Sequence, residues 1–159
     1  MNSPVNSVLL SVVIPCFNSE STIEKLLQQL GQQTLASDQY EIIVVDDGSD
    51  DKTPNIVGKF QNVKLLQQDH SGPGNARMLG IKYAVGNYVL FLDSDLEVSN
   101  SLLEKHLSYH IKYPDIAATG GSVLPLENLS LFSWKLADHF SSWFNAHPNV
   151  VYKTPPEYL

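Results

Sequence analysis

Short apolar runs alternate along this chain with segments in which apolar residues recur every three or four positions. The five runs cover residues 8–14, 40–45, 63–66, 88–92 and 116–119. Their length suits strands, and the run at 88–92 is typical of a central strand buried on both faces of a parallel sheet. Helices are predicted to begin near residues 21, 51, 72 and 99. This alternation predicts an α/β fold, in which a mainly parallel, doubly wound sheet carries helices on both faces.

The last part of the chain follows a different pattern. Apolar and aromatic residues recur at helical spacing over residues 129–144, which predicts one amphipathic C-terminal helix. Its apolar face has three candidate partners: the chain's own sheet, a membrane surface, or a further part of the protein, in whose absence the chain self-associates through this helix. We therefore expect a disordered N-terminus at 1–7, a folded domain at 8–123 and a helical tail at 124–159.

The composition indicates a folded domain whose task is not nucleic-acid binding. Of the 159 residues, 43% are hydrophobic and 17% are charged, a balance typical of globular proteins. The formal net charge of −7 opposes binding to a phosphate backbone, so no nucleic-acid partner is expected. Cys16 is the only cysteine, which excludes a disulfide within this chain and fits a reducing compartment. We expect a cytoplasmic protein, or one at the inner face of the cytoplasmic membrane.

Two aspartates follow the apolar run at 88–92. Asp93 and Asp95 are two positions apart, so their side chains point the same way from an extended segment. Close carboxylates repel each other unless a cation shares the site, and a hard divalent ion such as Mg²⁺ or Mn²⁺ suits oxygen ligands. The alternative is a plain acidic turn that caps the following helix. We predict a metal site at Asp93 and Asp95.

Two other predicted strands also end in loops with side chains suited to ligand binding. One loop presents an aromatic ring, and the next carries adjacent carboxylates that can accept hydrogen bonds from a nucleobase or a ribose. An arginine one turn into the helix near residue 72 provides an anion site. Each feature alone is compatible with a turn or a core residue, but the carboxyl ends of parallel strands share one ligand-binding edge. The candidate nucleotide-binding residues at this edge are Pro15, Phe17, Asn18, Asp46, Asp47, Gly74, Arg77, Asp93 and Ser94.

Four motifs in this sequence resemble the ordered signatures of family 2 glycosyltransferases of the GT-A fold. Their sequences are VVIPCFN, VVDDGSDD, GNARMLG and LFLDSD, and they occur in the family's order and at suitable spacing. They begin at residues 12, 44, 74 and 90. The resemblance covers residues 8–123 and implies a Rossmann-like domain that binds a nucleotide-sugar.

The resemblance implies roles for several of the candidate residues. In this family the first loop and the second aspartate of the Asp-Asp-Gly-Ser motif bind the nucleoside, which here means Pro15, Phe17 and Asp47. Phe17 stands where many relatives have tyrosine, so stacking is retained while a hydroxyl contact is lost. The acidic motif at 93–95 matches the one that binds Mg²⁺ or Mn²⁺ and the donor's diphosphate. Arg77 matches the family's arginine, and the implied donor is a UDP- or GDP-sugar.

The part of the family pattern that acts on the acceptor is not found in this sequence. Relatives carry a catalytic base, commonly in a Glu-Asp motif, and often a later Gln-x-x-Arg-Trp motif. Neither motif occurs at 124–159. We therefore expect the donor-binding half of a longer glycosyltransferase, with the tail leading into a missing acceptor-binding half. The acceptor and the catalytic residues are not identified.

Two other functions stay open at this point. A sugar nucleotidyltransferase shares the fold and the metal chemistry. It would be expected to carry a Gly-rich loop after the first strand, where this chain has Pro-Cys-Phe-Asn at 15–18. A non-catalytic fragment that binds a nucleotide or mediates oligomerisation is the second alternative, and the absence of a recognisable base motif favours it.

Overall fold

The computed structural model describes residues 8–114, in which parallel strands alternate with helices. The four strands predicted in this range are confirmed, with ends that differ from the prediction by two residues or fewer. The predicted strand at 116–119, the helix at 129–144 and the N-terminus at 1–7 lie outside the described residues. The elements are β1 (Leu10–Cys16), α1 (Ile23–Leu30), β2 (Tyr40–Asp46), α2 (Thr53–Val57), β3 (Val63–Gln67), α3 (Pro73–Tyr83), β4 (Tyr88–Phe91) and α4 (Leu102–Lys112).

The four described strands form one parallel sheet in the order β3-β2-β1-β4. Strand β1 pairs with β2 on one side and with β4 on the other, and β3 pairs with β2. Because all the pairs are parallel, the carboxyl ends of the strands meet at the same edge of the sheet. The loops that carry the candidate ligand-binding residues therefore begin at one edge, as the sequence predicted.

The prediction that the run at 88–92 forms the central strand, buried on both faces, is wrong for the described sheet. Strand β4 lies at the end of this sheet, and Val89 and Phe91 are 39% and 41% exposed. The centre is occupied by β1, of which all seven residues are buried. An unbroken apolar run identifies a strand, but its place in the sheet depends on pairing with other strands, which the run does not encode.

The prediction that β1 ends before Pro15 is also corrected. The strand continues through Pro15 to Cys16, opposite Val45 and Asp46 of β2. Backbone groups of successive strand residues face opposite neighbours, and the Val13 carbonyl accepts from the Leu92 amide on the β4 side. Pro15 is two residues later and faces the same side, where the ladder with β4 has already ended. Its missing N–H therefore costs no ladder hydrogen bond.

Helices cover both faces of the sheet, which confirms the doubly wound arrangement. On one face Val12, Ile14 and Val44 pack in a cluster with residues of α1, α2 and α4. On the other face Val13 and Ile43 belong to a second cluster, to which α3 contributes. This arrangement matches the GT-A, Rossmann-like fold that the motifs implied. Within residues 8–114, no helix combines the length and the apolar character needed to cross a bilayer.

Candidate functional site

An open pocket of about 450 Å³ lies at the carboxyl ends of β1 and β4. Its walls come from the loop after β1, the start of α3 and the loop after β4. Six of the predicted site residues line it, although the two loops are far apart in sequence. The lining residues are Pro15, Phe17, Asn18, Ser19, Ser21, Thr22, Pro73, Asp93, Ser94 and Asp95. Four other predicted residues are not among them: Asp46, Asp47, Gly74 and Arg77.

Arg77 reaches from α3 to the acidic end of the pocket. Its Nη2 donates a hydrogen bond of 2.7 Å to Oδ1 of Asp93, forming an ion pair that is open to solvent. Asp95 lines the same pocket and is exposed, and it forms no ion pair with any residue at 8–114. Because Arg77 offsets the charge of Asp93 alone, the two carboxylates present different environments to a ligand.

The two carboxylates of the pocket suit a cation that takes part of its coordination from a ligand. No group of three or more His, Cys, Asp or Glu side chains within residues 8–114 is arranged to hold a metal ion. Asp93 and Asp95 line one pocket and supply the hard oxygen donors that Mg²⁺ and Mn²⁺ prefer. Mg²⁺ commonly binds through one or two carboxylates together with waters and substrate phosphates. The donor set therefore fits such an ion.

Asn18 connects the loops after β1 and β2. Its amide N–H donates to Oγ of Ser49, at 2.9 Å, and its side-chain Oδ1 accepts from the amide of Asp50, at 3.0 Å. The backbone φ of Asn18 is +49°, in the left-handed region that asparagine tolerates better than most residues. This conformation and the two hydrogen bonds fix the direction in which the first loop leaves the sheet.

Ser19 connects the first loop to the acidic motif, a contact that the sequence did not suggest. Its Oγ lies 2.8 Å from Oγ of Ser94, the residue that separates the two aspartates of that motif in sequence. Its amide N–H also donates to Oγ1 of Thr53, at the start of α2. Ser19 thereby holds the two walls of the pocket together, and Ser94 serves as its partner.

Asp47 is buried and holds the segment between β3 and α3. Oδ1 accepts hydrogen bonds from Nε2 of Gln68 and the amide of Ser71, at 2.6 and 2.9 Å. Oδ2 accepts from the amide of Gly72 at 2.8 Å, and lies 3.0 Å from Nδ1 of His70. Among residues 8–114, the polar contacts of this carboxylate are therefore all with residues 68–72. Its implied contact with a nucleoside stays a prediction.

Two opposing effects set the pKa of Asp47. Burial is the larger single effect and raises the pKa, because it disfavours the charged form. Hydrogen bonds from Gln68, Ser71 and Gly72 lower the pKa, and His70 adds a smaller favourable interaction. Together these contacts prevail, so the pKa of Asp47 lies below its ordinary value of 3.8. Asp47 is consequently an ionised carboxylate at neutral pH.

Asp46 is buried at the end of β2, and its carboxylate also accepts hydrogen bonds from the protein's own groups. Its Oδ1 accepts from the amide of Ser49 and its Oδ2 from Nε2 of Gln67, both at 3.3 Å. These bonds support the turn that begins with Asp46. Its predicted contact with a ligand stays a prediction, since Asp46 does not line the pocket.

Cys16 is the last residue of β1 and lies beside these carboxylates. Burial, reinforced by the nearby Asp46, Asp51 and Asp47, raises the pKa of the Cys16 thiol to about 12. The thiol therefore stays protonated at neutral pH, and a protonated, buried thiol is a poor nucleophile. Cys16 packs in the core cluster beneath the pocket instead.

His70 packs against the aromatic ring of the pocket, although no motif in the sequence pointed to this residue. The ring centroids of His70 and Phe17 are 4.3 Å apart, with their planes inclined by 38°. Phe17 is 46% exposed, so its ring retains an accessible surface. The signal that could have identified His70 is its place: it lies just after β3, at the sheet edge where the other loops meet.

The start of α3 adjoins the pocket through Pro73. Gly74 is exposed, and a Cβ there would meet no atom within 4 Å. The protein's own packing therefore does not require glycine at this position. The predicted anion site at Gly74 and Arg77 stays a prediction, with Arg77 already paired to Asp93.

The family model described as Glycosyl transferase family 2 matches residues 11–154. Among curated relatives, the poly(ribitol-phosphate) beta-N-acetylglucosaminyltransferase TarS of Staphylococcus aureus (strain Mu50) is 39% identical over 99 residues, which cover 59% of this chain and 17% of TarS. The poly(ribitol-phosphate) beta-glucosyltransferase of Bacillus spizizenii is 40% identical over 100 residues, covering 59% of this chain and 16% of that protein. The chain thus spans less than a fifth of the length of these two relatives.

Crystal structures of S. aureus TarS share the fold of this chain. For TarS 1–349 the TM-score is 0.71 at 30% identity, over 78% of this chain and 38% of that one. For the same protein in complex with UDP-GlcNAc the TM-score is 0.68 at 31% identity, over 77% of this chain and 37% of that one. Since the family model covers most of the sequence and these structures share its architecture, the chain belongs to glycosyl transferase family 2.

Proposed function

We propose that the pocket at the ends of β1 and β4 binds a nucleoside diphosphate sugar, and that the protein transfers this sugar to an acceptor hydroxyl. The observation that carries the proposal is the meeting of an exposed aromatic ring and two carboxylates in one pocket of about 450 Å³. That volume lies within the ordinary range of small-molecule sites. TarS, a relative with the same fold, has been crystallised with UDP and with UDP-GlcNAc. A UDP-sugar is therefore our first candidate donor, and a GDP-sugar the second.

Phe17 is the residue that we assign to the nucleoside. Its half-exposed ring lines the pocket, and a planar base gains both apolar burial and stacking on such a surface. Pro15 and Asn18 line the pocket on either side of this ring in sequence. They limit how far the base can move along the first loop.

Asp93 and Asp95 are assigned to the diphosphate end of the donor. They would hold Mg²⁺ or Mn²⁺, which when bound neutralises charge on the leaving diphosphate. Arg77 holds Asp93 through Oδ1, so the side chain of Asp93 is oriented before a ligand arrives. The Ser19–Ser94 contact keeps the acidic motif next to the loop that carries Phe17.

The acceptor must be activated by a group that we do not assign to this chain. A general base has to lie within hydrogen-bond reach of the acceptor hydroxyl. The carboxylates that line the described pocket, Asp93 and Asp95, are both assigned to the metal. The proposal for this chain is therefore donor binding, and sugar transfer is proposed for the protein as a whole.

The proposal is tested by titrating the purified chain with UDP, UDP-GlcNAc, GDP and GDP-mannose in a calorimeter, with Mn²⁺ and then with EDTA. We expect saturable binding of at least one uridine nucleotide, weakened by removal of the metal. Asp38 supplies a matched control, because Asp38→Asn makes the same charge change in an exposed residue before β2, away from the pocket. Absence of binding by every nucleotide, or equal binding with and without metal, would overturn the assignment of the site.

A further inference from the structure

We infer that Gln29 and Gln33 position the carboxylate of Asp95 for metal binding by holding the chain segment that follows it. Because Asp95 is a residue that the proposed function assigns to the metal, this inference rests on that function. Neither glutamine lines the pocket, so both are positioning residues that touch neither the metal nor the donor. Two observations support this role. Within residues 8–114 the Asp95 side chain forms no ion pair, and the two glutamines bind the backbone just beyond it.

The two carboxylates of the acidic motif are held in different ways. Asp93 is held directly, by a 2.7 Å bond from Arg77, whereas the side chain of Asp95 is exposed. The position of Asp95 therefore depends on the backbone on either side of it. On the preceding side, β4 pairs with β1. On the following side, residues 96–101 belong to no helix or strand, so their position depends on contacts with other parts of the protein.

A polar row that begins on α1 supplies these contacts. Residues four positions apart lie on the same face of a helix, and Lys25, Gln29 and Gln33 follow this spacing, with Gln33 just after the end of α1. Oε1 of Gln29 accepts a hydrogen bond of 3.0 Å from the amide of Val98. Lys25 forms an ion pair with Glu97, but both side chains are open to solvent, so this pair contributes little. The bond from Gln29 is therefore the stronger restraint on this part of the segment.

Gln33 binds the same segment with both of its side-chain polar atoms. Its Nε2 donates to the backbone oxygen of Ser99 at 2.8 Å, and its Oε1 accepts from the amide of Leu103 at 3.1 Å. Leu103 lies in the first turn of α4, where amides have no partner within the helix. The amide of Thr34 adds a bond of 2.7 Å to the backbone oxygen of Asn100. Together these contacts fix the end of the segment and the start of α4.

Hydrogen bonds give the segment a precision that its apolar contacts do not. Leu96 and Val98 pack against the core cluster that contains residues of α1, but apolar packing is not directional. The chain from Asp95 to Val98 spans at most about 10 Å, so a displacement at Val98 is transmitted to Asp95. Loss of the bond from Gln29 therefore lowers the fraction of molecules in which Asp95 is ready to bind metal, and the apparent affinity falls with that fraction.

The test measures UDP affinity by calorimetry in Mn²⁺ and in EDTA. Gln29→Met keeps the length of the side chain and removes the acceptor for the Val98 amide. We expect it to weaken UDP about fivefold in Mn²⁺, the usual worth of one hydrogen bond, with no change in EDTA. Gln29→Glu keeps an oxygen acceptor, and we expect it to recover most of the affinity. Wild-type affinity in Gln29→Met, or equal weakening with and without Mn²⁺, would overturn the inference.

Gln28 supplies matched controls, because it precedes Gln29 on the same helix and is exposed. Gln28→Met and Gln28→Glu make the same changes in polarity and charge one position earlier. We expect both to bind UDP like the wild type in Mn²⁺ and in EDTA. Weakening by Gln28→Met equal to that by Gln29→Met would show a general effect on α1 and would contradict the positioning role.

A double-mutant cycle tests whether Gln29 acts through Asp95. If it does, Gln29→Met should weaken UDP by less than about twofold when Asp95 is already asparagine, although it weakens UDP further in the wild-type background. If the two losses multiply, Gln29 acts independently of Asp95 and the inference is wrong. Gln33→Met removes a donor and an acceptor together, and should also weaken UDP in Mn²⁺ alone. Thermal unfolding identifies any variant that fails to fold, and the remaining glutamine variant then decides.

These outcomes are distinguishable from failure of the proposed function. If UDP binding by the wild-type chain does not depend on Mn²⁺, the proposed metal site is wrong and this inference falls with it. If the wild type depends on Mn²⁺ and the Gln29 and Gln33 variants behave like it, only the inference falls. Faster hydrogen exchange at the Val98 amide in Gln29→Met, absent in Gln28→Met, would support the positioning role directly.

Discussion

Asp93 and Asp95 line the same pocket but differ in their partners. Oδ1 of Asp93 already accepts a charge-assisted bond from Arg77, whereas Asp95 forms no ion pair within residues 8–114. A cation approaching the pair is repelled by the guanidinium on the side of Asp93. Asp95 is therefore the better direct ligand, and Asp93 the better candidate to reach the metal through a water molecule.

We predict that Asp95→Asn reduces UDP affinity in Mn²⁺ to the level seen in EDTA, while Asp93→Asn leaves part of the metal dependence. The folded state should be unaffected, because both residues lie on an exposed loop. Isothermal titration with UDP, with and without Mn²⁺, measures the difference. Undiminished Mn²⁺ dependence in Asp95→Asn would show that the metal binds elsewhere.

The adjacent aspartates after β2 are also unequal. The Asp47 carboxylate accepts three hydrogen bonds at 2.6 to 2.9 Å and lies 3.0 Å from Nδ1 of His70, whereas the two bonds to Asp46 are both 3.3 Å long. We predict that Asp47→Ala weakens UDP binding by roughly 1–3 kcal/mol, the cost of leaving a base N–H without an acceptor. Asp46→Ala should cost less. Calorimetry with both variants ranks them, and the reverse order would assign the larger role to Asp46.

At the scale of elements, the turn between α3 and β4 is fixed by the centre of the sheet. Oγ of Ser11 accepts from the amide of Gly86 at 2.9 Å and donates to Oε1 of Glu41 at 2.6 Å. The same Glu41 oxygen accepts from the amide of Val85 at 2.7 Å. A polar pair on β1 and β2 therefore determines where β4 begins, and with it the position of the acidic motif.

Gly86 lies close to the backbone of the central strand β1, and replacing it tests this packing. A Cβ at residue 86 would lie 2.7 Å from the Ser11 nitrogen and 2.8 Å from the Leu10 carbonyl carbon, and these backbone atoms belong to the central strand. We predict that Gly86→Ala lowers the free energy of unfolding by about 1–3 kcal/mol. Gly74→Ala is the matched control, because a Cβ there meets nothing within 4 Å. Urea unfolding compares them, and equal stabilities would contradict the packing described.

At the scale of the whole described unit, carboxylates at least partly shielded from solvent connect segments that are distant in sequence. Asp51 accepts from the amide of Glu20 at 3.0 Å and from the amide of Thr53 at 2.8 Å, which ties the loop after β1 to α2. Burial raises the pKa of Asp51, but bonds from Thr53 and Glu20 outweigh it, so the pKa is lowered. Asp47 has the same net direction.

The lowered pKa values predict loss of stability in acid. With a pKa lower in the folded state than in the unfolded chain, each group contributes its full stabilisation above the ordinary value of 3.8. This stabilisation is lost as pH falls through the folded-state pKa, because protonation then favours the unfolded chain. Urea unfolding at pH 7, 5 and 3 should show a smaller acid-dependent loss for Asp51→Asn than for the wild type. An equal loss would assign the acid sensitivity to other groups.

The sequence by itself determined the fold class, the four described strands and the edge of the sheet that carries the pocket. Short apolar runs that alternate with helical patterns are typical of strands in a layered fold, and parallel strands in one sheet end at one edge. For the same reason, six of the predicted residues, at the end of β1 and on the loops after β1 and β4, do line the pocket. These features depend on local composition and on a general rule of topology, so a single sequence suffices.

The tertiary structure decided what depends on distant partners. It places β1 and not β4 at the centre of the described sheet, keeps Pro15 within a strand, and leaves Asp47 outside the lining of the pocket. It also brings His70 to Asp47, 23 positions earlier, and to the ring of Phe17. Which strands become neighbours, and which donors reach a buried carboxylate, is set by packing between segments that the chain's local pattern does not relate.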